Sequence, residues 1–74
     1  MKITVKLFAT LRNNRFEIKV FNCKERITVK DLLEIINIDE KEVAIIFHNG
    51  KHAQSDDILN ENDTVAFFPP IGGG

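Results

Sequence analysis

The glycines and prolines of this chain constrain its fold more than any other feature, because of where they fall. There are four glycines and two prolines. Five of these six residues stand together in Pro69-Pro70-Ile71-Gly72-Gly73-Gly74, and the rest of the chain holds only Gly50. Glycine and proline are the residues that most readily interrupt helices and strands. The body can therefore run as regular elements, whereas the tail cannot join one. The division is a folded domain over residues 1–68 and an extended tail over residues 69–74.

Within the body, hydrophobic period assigns the elements. Lys2, Thr4 and Lys6 alternate with Ile3, Val5 and Leu7, the pattern of a half-buried strand. Asn13-Asn14 suits a turn, and Phe16, Ile18 and Val20 then alternate with Glu17 and Lys19, so the first two strands form a hairpin. Thr28 is a good N-cap, with Asp31 placed for the first turn. Val29, Leu32, Leu33 and Ile36 follow at i, i+3, i+4 and i+7, one apolar stripe of a short helix. Val43 to Phe47 is a β-rich apolar run closed by Asn49-Gly50, the favoured pair for a type I′ turn. Ile58-Leu59 reads as a small plug of about one helical turn, and Thr64 to Phe68 as the last strand, stopped by two prolines that donate no ladder hydrogen bond.

The order β-β-α-β-(β)-β has one helix, too few to cover both faces of a sheet. The expected fold is α+β, a mixed sheet of four to five strands with one face packed on one main helix. Its expected core is Ile3, Val5, Leu7, Phe16, Ile18, Val20, Val29, Leu32, Leu33, Ile36, Val43, Ile45, Leu59, Val65 and Phe67. Phe8, Ile46 and Phe68 fall out of phase with those positions, should point away from the helix, and would make an apolar partner-binding patch.

Composition excludes several function classes. Seventy-four residues make one domain. A formal charge of −1 gives no basic field for nucleic acid or an anionic membrane surface. No apolar run approaches the roughly 18 residues of a membrane span, and Met1-Lys2-Ile3-Thr4-Val5-Lys6 does not read as a signal peptide. A single cysteine forms no internal disulfide, so a reducing cytoplasm is the expected location.

Catalytic constellations are scarce. Ser55 would have to meet His48 or His52 on a neighbouring loop to make a triad. The two histidines stand at i, i+4, but Asn49-Gly50 between them makes a hairpin rather than a helix, so they read as solvated side chains and no metal site is expected. Cys23 in a polar connection reads as an incidental thiol, and Asp56-Asp57 as a turn or cap. The tail is different. Prolines stiffen its exit, and side-chain-free glycines make a thread for a narrow channel. Six residues at roughly 3.3 Å each reach about 20 Å. The reactive group would be the Gly74 carboxylate, a poor electrophile until converted to a mixed anhydride.

These residues resemble the MoaD/ThiS sulfur-carrier family of ubiquitin-like proteins, most closely its molybdopterin-synthase small-subunit branch (the MoaD type). Leu59-Asn60-Glu61-Asn62-Asp63-Thr64-Val65 resembles the family segment L-x-D-G-D-x-V, and Ala66 to Gly74 resembles its final strand, double proline and terminal Gly-Gly. Leu7-Phe8-Ala9-Thr10-Leu11-Arg12 is similar to its first-strand exit, and Asn49 matches its hairpin asparagine. Asn62 stands in place of the loop glycine but tolerates a left-handed backbone. The short Asn13-Asn14 connection lacks the acidic-glycine pattern of many members.

The resemblance implies a β-grasp fold and a mechanism. An adenylyltransferase of the ubiquitin-activating type would use ATP and Mg²⁺ to adenylate Gly74, the domain itself binding no cofactor. Sulfur from a persulfide would leave a thiocarboxylate. The tail, threaded by Gly72 and Gly73 and aimed by Pro69 and Pro70, would enter the large subunit of molybdopterin synthase and donate sulfur for a dithiolene. On this reading the chain is non-catalytic alone and is the small subunit of a sulfurtransferase complex. The alternatives are a ThiS-type carrier for thiamine thiazole synthesis, whose tails generally lack the double proline, and a ubiquitin-like protein modifier.

Overall fold

A computed structural model describes residues 1–70. Five strands and one α-helix follow the expected order: β1 (Lys2–Leu7), β2 (Ile18–Asn22), α1 (Val29–Ile35), β3 (Ile45–His48), β4 (Lys51–His52) and β5 (Thr64–Phe68). Short 3-10 turns at Ala9–Arg12 and Glu40–Glu42 interrupt the connections. The strands form one mixed sheet in the order β2-β1-β5-β3-β4, with β5 central, parallel to β1 and antiparallel to β3.

Local chemistry explains the elements. Thr28 caps α1 in a full capping box: its hydroxyl accepts from the Asp31 N–H at 3.2 Å, and Asp31 accepts from the Thr28 N–H at 2.9 Å. Asn49 (φ +53°) and Gly50 (φ +81°) provide the two left-handed residues that a type I′ hairpin needs. Asn62 takes φ +67°, so the asparagine performs the turn the sequence asked of it.

The core lies between α1 and one sheet face. Ile3, Val5 and Leu7 of β1 and Val65 and Phe67 of β5 are wholly buried against Val29, Leu32 and Leu33. Ile36 and Leu59 are buried there as expected, and Phe16 and Val43 pack on the cluster partly exposed. Leu11, Cys23 and Ile38 also belong to it, although the sequence pattern did not mark them.

Three expected core residues are on the other side. Ile18 and Val20 are more than half exposed, and Ile45 is exposed as well. In β2 the phase is reversed. Phe21 and Lys19 stand opposite Ile3 and Val5, so they share the helix side, while Val20 and Ile18 oppose Thr4 and Lys6 on the outer side. Phe16 reaches the core from outside the strand, which begins only at Ile18, so its phase does not carry over.

β3 is reversed in the same way. Ile46 pairs with the buried Phe67 and packs on the core, while Ile45 pairs with Phe68 on the outer face. Ile46 therefore does not point away from the helix. Ile58-Leu59 forms no helical turn. Ile58 makes an isolated bridge to Thr28, and Leu59 alone plugs the core.

Candidate functional site

The outer face of the sheet carries a run of rings. Phe8, one residue past β1, extends the parallel ladder by donating its N–H to the Phe67 carbonyl at 3.2 Å. Its ring stacks on Phe68 with centroids 4.2 Å apart and planes 9° from parallel. Phe47 of β3 meets Phe68 edge-on at 5.6 Å and 82°, and His52 of β4 lies 4.6 Å from Phe47. The Arg12 guanidinium covers the far side of Phe8 at 5.5 Å. Both preferred aromatic geometries are present, offset stack and T, so the row is a fixed surface rather than a loose apolar patch. The three phenylalanine rings are half-buried, and Ile45 extends the surface beside them.

The 3-10 turn holds Arg12 in place. Ala9 enters it at φ +53°, and Arg12 Nε then donates to the Leu7 carbonyl at 2.9 Å. Arg12 also meets Glu17 at 3.4 Å. Of the expected patch residues, Phe8 and Phe68 are brought into contact, while Ile46 is not part of this face. Phe47, His52 and Arg12 take up the surface instead. Phe47 shares a face with Ile45, two residues before it, and was missed because that face was assigned to the core.

The root of the tail adjoins this surface. β5 is paired with β1 as far as Phe67 and with β3 as far as Phe68, whose carbonyl accepts the Ala44 N–H at 2.8 Å. Pro69 and Pro70 then pass a cleft walled by Thr10, Leu11, Asn13, Arg15, Lys41 and Glu42. Arg15 ties the two 3-10 turns together, donating to the Leu11 carbonyl at 3.4 Å and meeting Glu42 at 3.7 Å. A tail that leaves a central strand starts from a fixed point and a fixed direction. Gly72, Gly73 and Gly74 lie outside the described residues.

At the opposite end of β5 a polar cluster fixes the register. Asp63 is buried. It accepts hydrogen bonds from Asn49 Nδ2 at 2.9 Å and the Asn60 N–H at 2.8 Å, and it pairs with His48 Nε2 at 2.5 Å. Asn49 Oδ1 in turn accepts the Thr64 N–H at 2.8 Å. Burial pushes the Asp63 carboxyl up, but the bonds from Asn49, His48 and Asn60, with the His48 charge, outweigh it and hold it below the usual carboxylate range. His48 is thus a bonded, half-buried side chain rather than a solvated one, while His52 is exposed. Asp63 and Asn49 were visible in the motif-bearing segments, but not their meeting.

Cys23 is buried and free, and burial, opposed by the neighbouring N-terminal ammonium, raises its thiol above the ordinary value. That environment disfavours a reactive thiolate. Among the described residues no group of three His, Cys, Asp or Glu side chains could hold a metal ion, and no helix is long and apolar enough to cross a membrane.

Comparison with known proteins gives a consistent family. The model of the ThiS family matches residues 5–74. No curated protein matches by sequence. Among solved structures, the chain is similar to a putative molybdopterin converting factor, subunit 1, from Pyrococcus furiosus, at 29% identity over 96% of this chain and 99% of that one, TM-score 0.76. It is similar to a chain of the protein-protein complex of subunits 1 and 2 of the molybdopterin-converting factor from Helicobacter pylori, at 24% identity with both chains fully covered, TM-score 0.67. SAMP1 from Haloferax volcanii superposes with TM-score 0.78 at 21% identity, again over all of both chains. The shared fold is the ubiquitin-like β-grasp.

Proposed function

Since this chain belongs to the ThiS family and has the ubiquitin-like sulfur-carrier fold, we propose that it carries sulfur on the Gly74 carboxylate and donates it for dithiolene formation in molybdopterin synthesis. The observation that carries the reading is the pairing of a fixed tail root with an aromatic docking face. Pro69-Pro70 leaves the central strand directly after Phe68, whose ring is the middle of the Phe8–Phe68–Phe47 row. A partner seated on that row receives the tail at a set distance and angle.

The chemistry belongs to the terminus. In the first step a Gly74 carboxylate oxygen attacks the α-phosphorus of ATP, pyrophosphate leaves, and an acyl-adenylate forms. An adenylyltransferase of the ubiquitin-activating type, with Mg²⁺, supplies that step. A persulfide sulfur next attacks the acyl carbon and AMP leaves. A thiol then cleaves the sulfur–sulfur bond, leaving the thiocarboxylate on Gly74 and a disulfide on the donor. Gly72 and Gly73 pass a channel too narrow for a Cβ, and Pro69 and Pro70 keep the root extended. Phe8, Phe47 and Phe68 hold the docked partner, first the activating enzyme and then the large subunit of molybdopterin synthase. The double proline favours this route over thiazole synthesis.

The test is a reconstitution of the full chain with a cognate activating enzyme, ATP, Mg²⁺ and a persulfide donor, read by intact mass. One oxygen-to-sulfur exchange located on Gly74 is expected, and its loss on adding large subunit and pterin precursor. Lysine-linked conjugates in place of the exchange would identify a modifier, and an unchanged mass would overturn the carrier reading. Transfer only to a thiazole-forming system would redirect the pathway and leave the carrier chemistry standing.

A further inference from the structure

β2 is an edge of the sheet, and its free side has a regular pattern. Cys23 N–H donates to the Met1 carbonyl at 2.7 Å, the Met1 ammonium donates to the Cys23 carbonyl at 2.6 Å, and Leu7 N–H donates to the Glu17 carbonyl at 2.9 Å. With Ile3 opposite Phe21 and Val5 opposite Lys19, these bonds turn the backbone groups of Glu17, Lys19, Phe21 and Cys23 toward β1. Alternation then turns the N–H and C=O of Ile18, Val20 and Asn22 outward, away from the sheet. The side chains of Ile18 and Val20 are 57% and 56% exposed on the outer face.

The other edge, β4, has two residues and is blunted by its shortness, whereas β2 has five and contains no proline. Lys19 is the residue that would usually guard such an edge. Its ammonium instead folds back over Phe16 and Phe21, 5.9 and 5.3 Å from their ring centroids. Among the described residues the edge is left as an unguarded row of outward-facing hydrogen-bonding groups flanked by β-branched side chains.

We propose that β2 pairs antiparallel with β2 of a second copy of this chain, with Val20 facing Val20 across a two-fold axis. Outward-facing residues must meet outward-facing residues, which leaves few registers. An axis at Lys19 would set lysine against lysine. An axis at Ile18, Phe21 or Asn22 would pair only part of the strand with its counterpart. The Val20 axis uses the whole of β2: Ile18 meets the second copy's Asn22, and Lys19 meets the second copy's Phe21. That second pairing is a cation–π contact formed twice by symmetry. The result is one sheet of doubled width with both helices on the same side. The Phe8–Phe68–Phe47 row stays open, and the two tail roots lie at opposite ends. The interface is short beside the roughly 1,200–2,000 Å² of stable complexes, so the dimer is a weak one. Nothing in it rests on the sulfur-carrier reading.

The experiment is sedimentation velocity on the full chain from micromolar to millimolar concentration, with amide exchange on the same samples. A concentration-dependent dimer is expected, in which the amides of Ile18, Val20 and Asn22 slow by about tenfold or more. Val20→Pro deletes an outward N–H but no β1–β2 hydrogen bond, and should leave a folded monomer. Val20→Lys, which sets like charges on the axis without restricting the backbone, is the second variant and should also be monomeric. A wild-type monomer at every concentration, or a dimer that survives Val20→Lys, overturns the proposal.

Discussion

The two faces of the sheet use their large side chains in opposite ways. The helix side is aliphatic and closed: Ile3, Val5, Leu7, Val65 and Phe67 are all wholly buried. The outer side is aromatic and half open, with Phe8, Phe68 and Phe47 in contact with one another rather than with a second layer. Neighbours on one strand, Phe67 and Phe68, belong one to each. Burial against α1 makes the first face the source of stability. The second has ring geometry fixed as tightly as in a core but, among the described residues, no covering element, which is what a docking surface requires.

Substitution of those neighbours should separate the two roles. Phe67→Ala removes a fully buried ring and is expected to cost about 3–5 kcal/mol, enough to unfold much of a domain this small. Phe68→Ala removes a half-buried ring from two aromatic pairs and should cost about 1–3 kcal/mol. Urea midpoints check both values. Binding to the proposed activating enzyme should invert the ranking, with folded Phe68→Ala weakened by about tenfold. Comparable stability losses for the two variants would erase the distinction between the faces.

Asp63 tests whether the comparison depends on register. The cluster at the start of β5 holds β3 and β5 in the phase that sends Phe67 inward and Phe68 outward. Asp63→Ala leaves the donors of Asn49, His48 and Asn60 without their acceptor and should cost about 1–3 kcal/mol. The pH dependence has a definite sign. The folded-state carboxyl lies below its ordinary value, so its contribution is complete above the ordinary carboxylate range. It is lost as pH falls through the lowered value. Urea titrations at pH 5 and 3 should therefore show the wild-type margin over Asp63→Asn reduced at the lower pH. A margin that grows on acidification would reverse the assignment.

Much of this was legible in the sequence, and the failures share a cause. β1 and β5 alternate polar or small residues with large apolar ones, so their phase is explicit. The capping box and the Asn49-Gly50 turn are local chemistry and were equally plain. β2 and β3 carry apolar residues on both faces, so periodicity locates the strand without orienting it. In β2, Ile18 and Val20 compete with Phe21, and the choice is made by pairing with Ile3 and Val5. In β3, Val43 to Phe47 is apolar at every position, and the choice is made by pairing Ile46 with Phe67. Leu11 and Cys23 sit in connections that polar neighbours disguise. The same ambiguity hid part of the candidate site, since Phe47 reaches the ring row only because Ile46 turns inward.

Adjacent isoleucines of β3 give the smallest and most direct test of that assignment. Ile46 packs on the core from a partly buried position, whereas Ile45 lies on the outer face at 38% exposure. Truncating Ile46 to alanine removes methylenes from contact with Phe67 and its neighbours. Partial burial places the expected loss at about 1–2 kcal/mol, below the range for a fully buried isoleucine. Ile45→Ala trims an exposed side chain and should change stability by about 0.5 kcal/mol or less. Both residues are β-branched in the same strand, so the propensity term is shared and cancels in the difference. What remains is the face each occupies. Equal losses would mean that β3 does not hold one register against β5, and with it would go the placement of Phe47 beside Phe68.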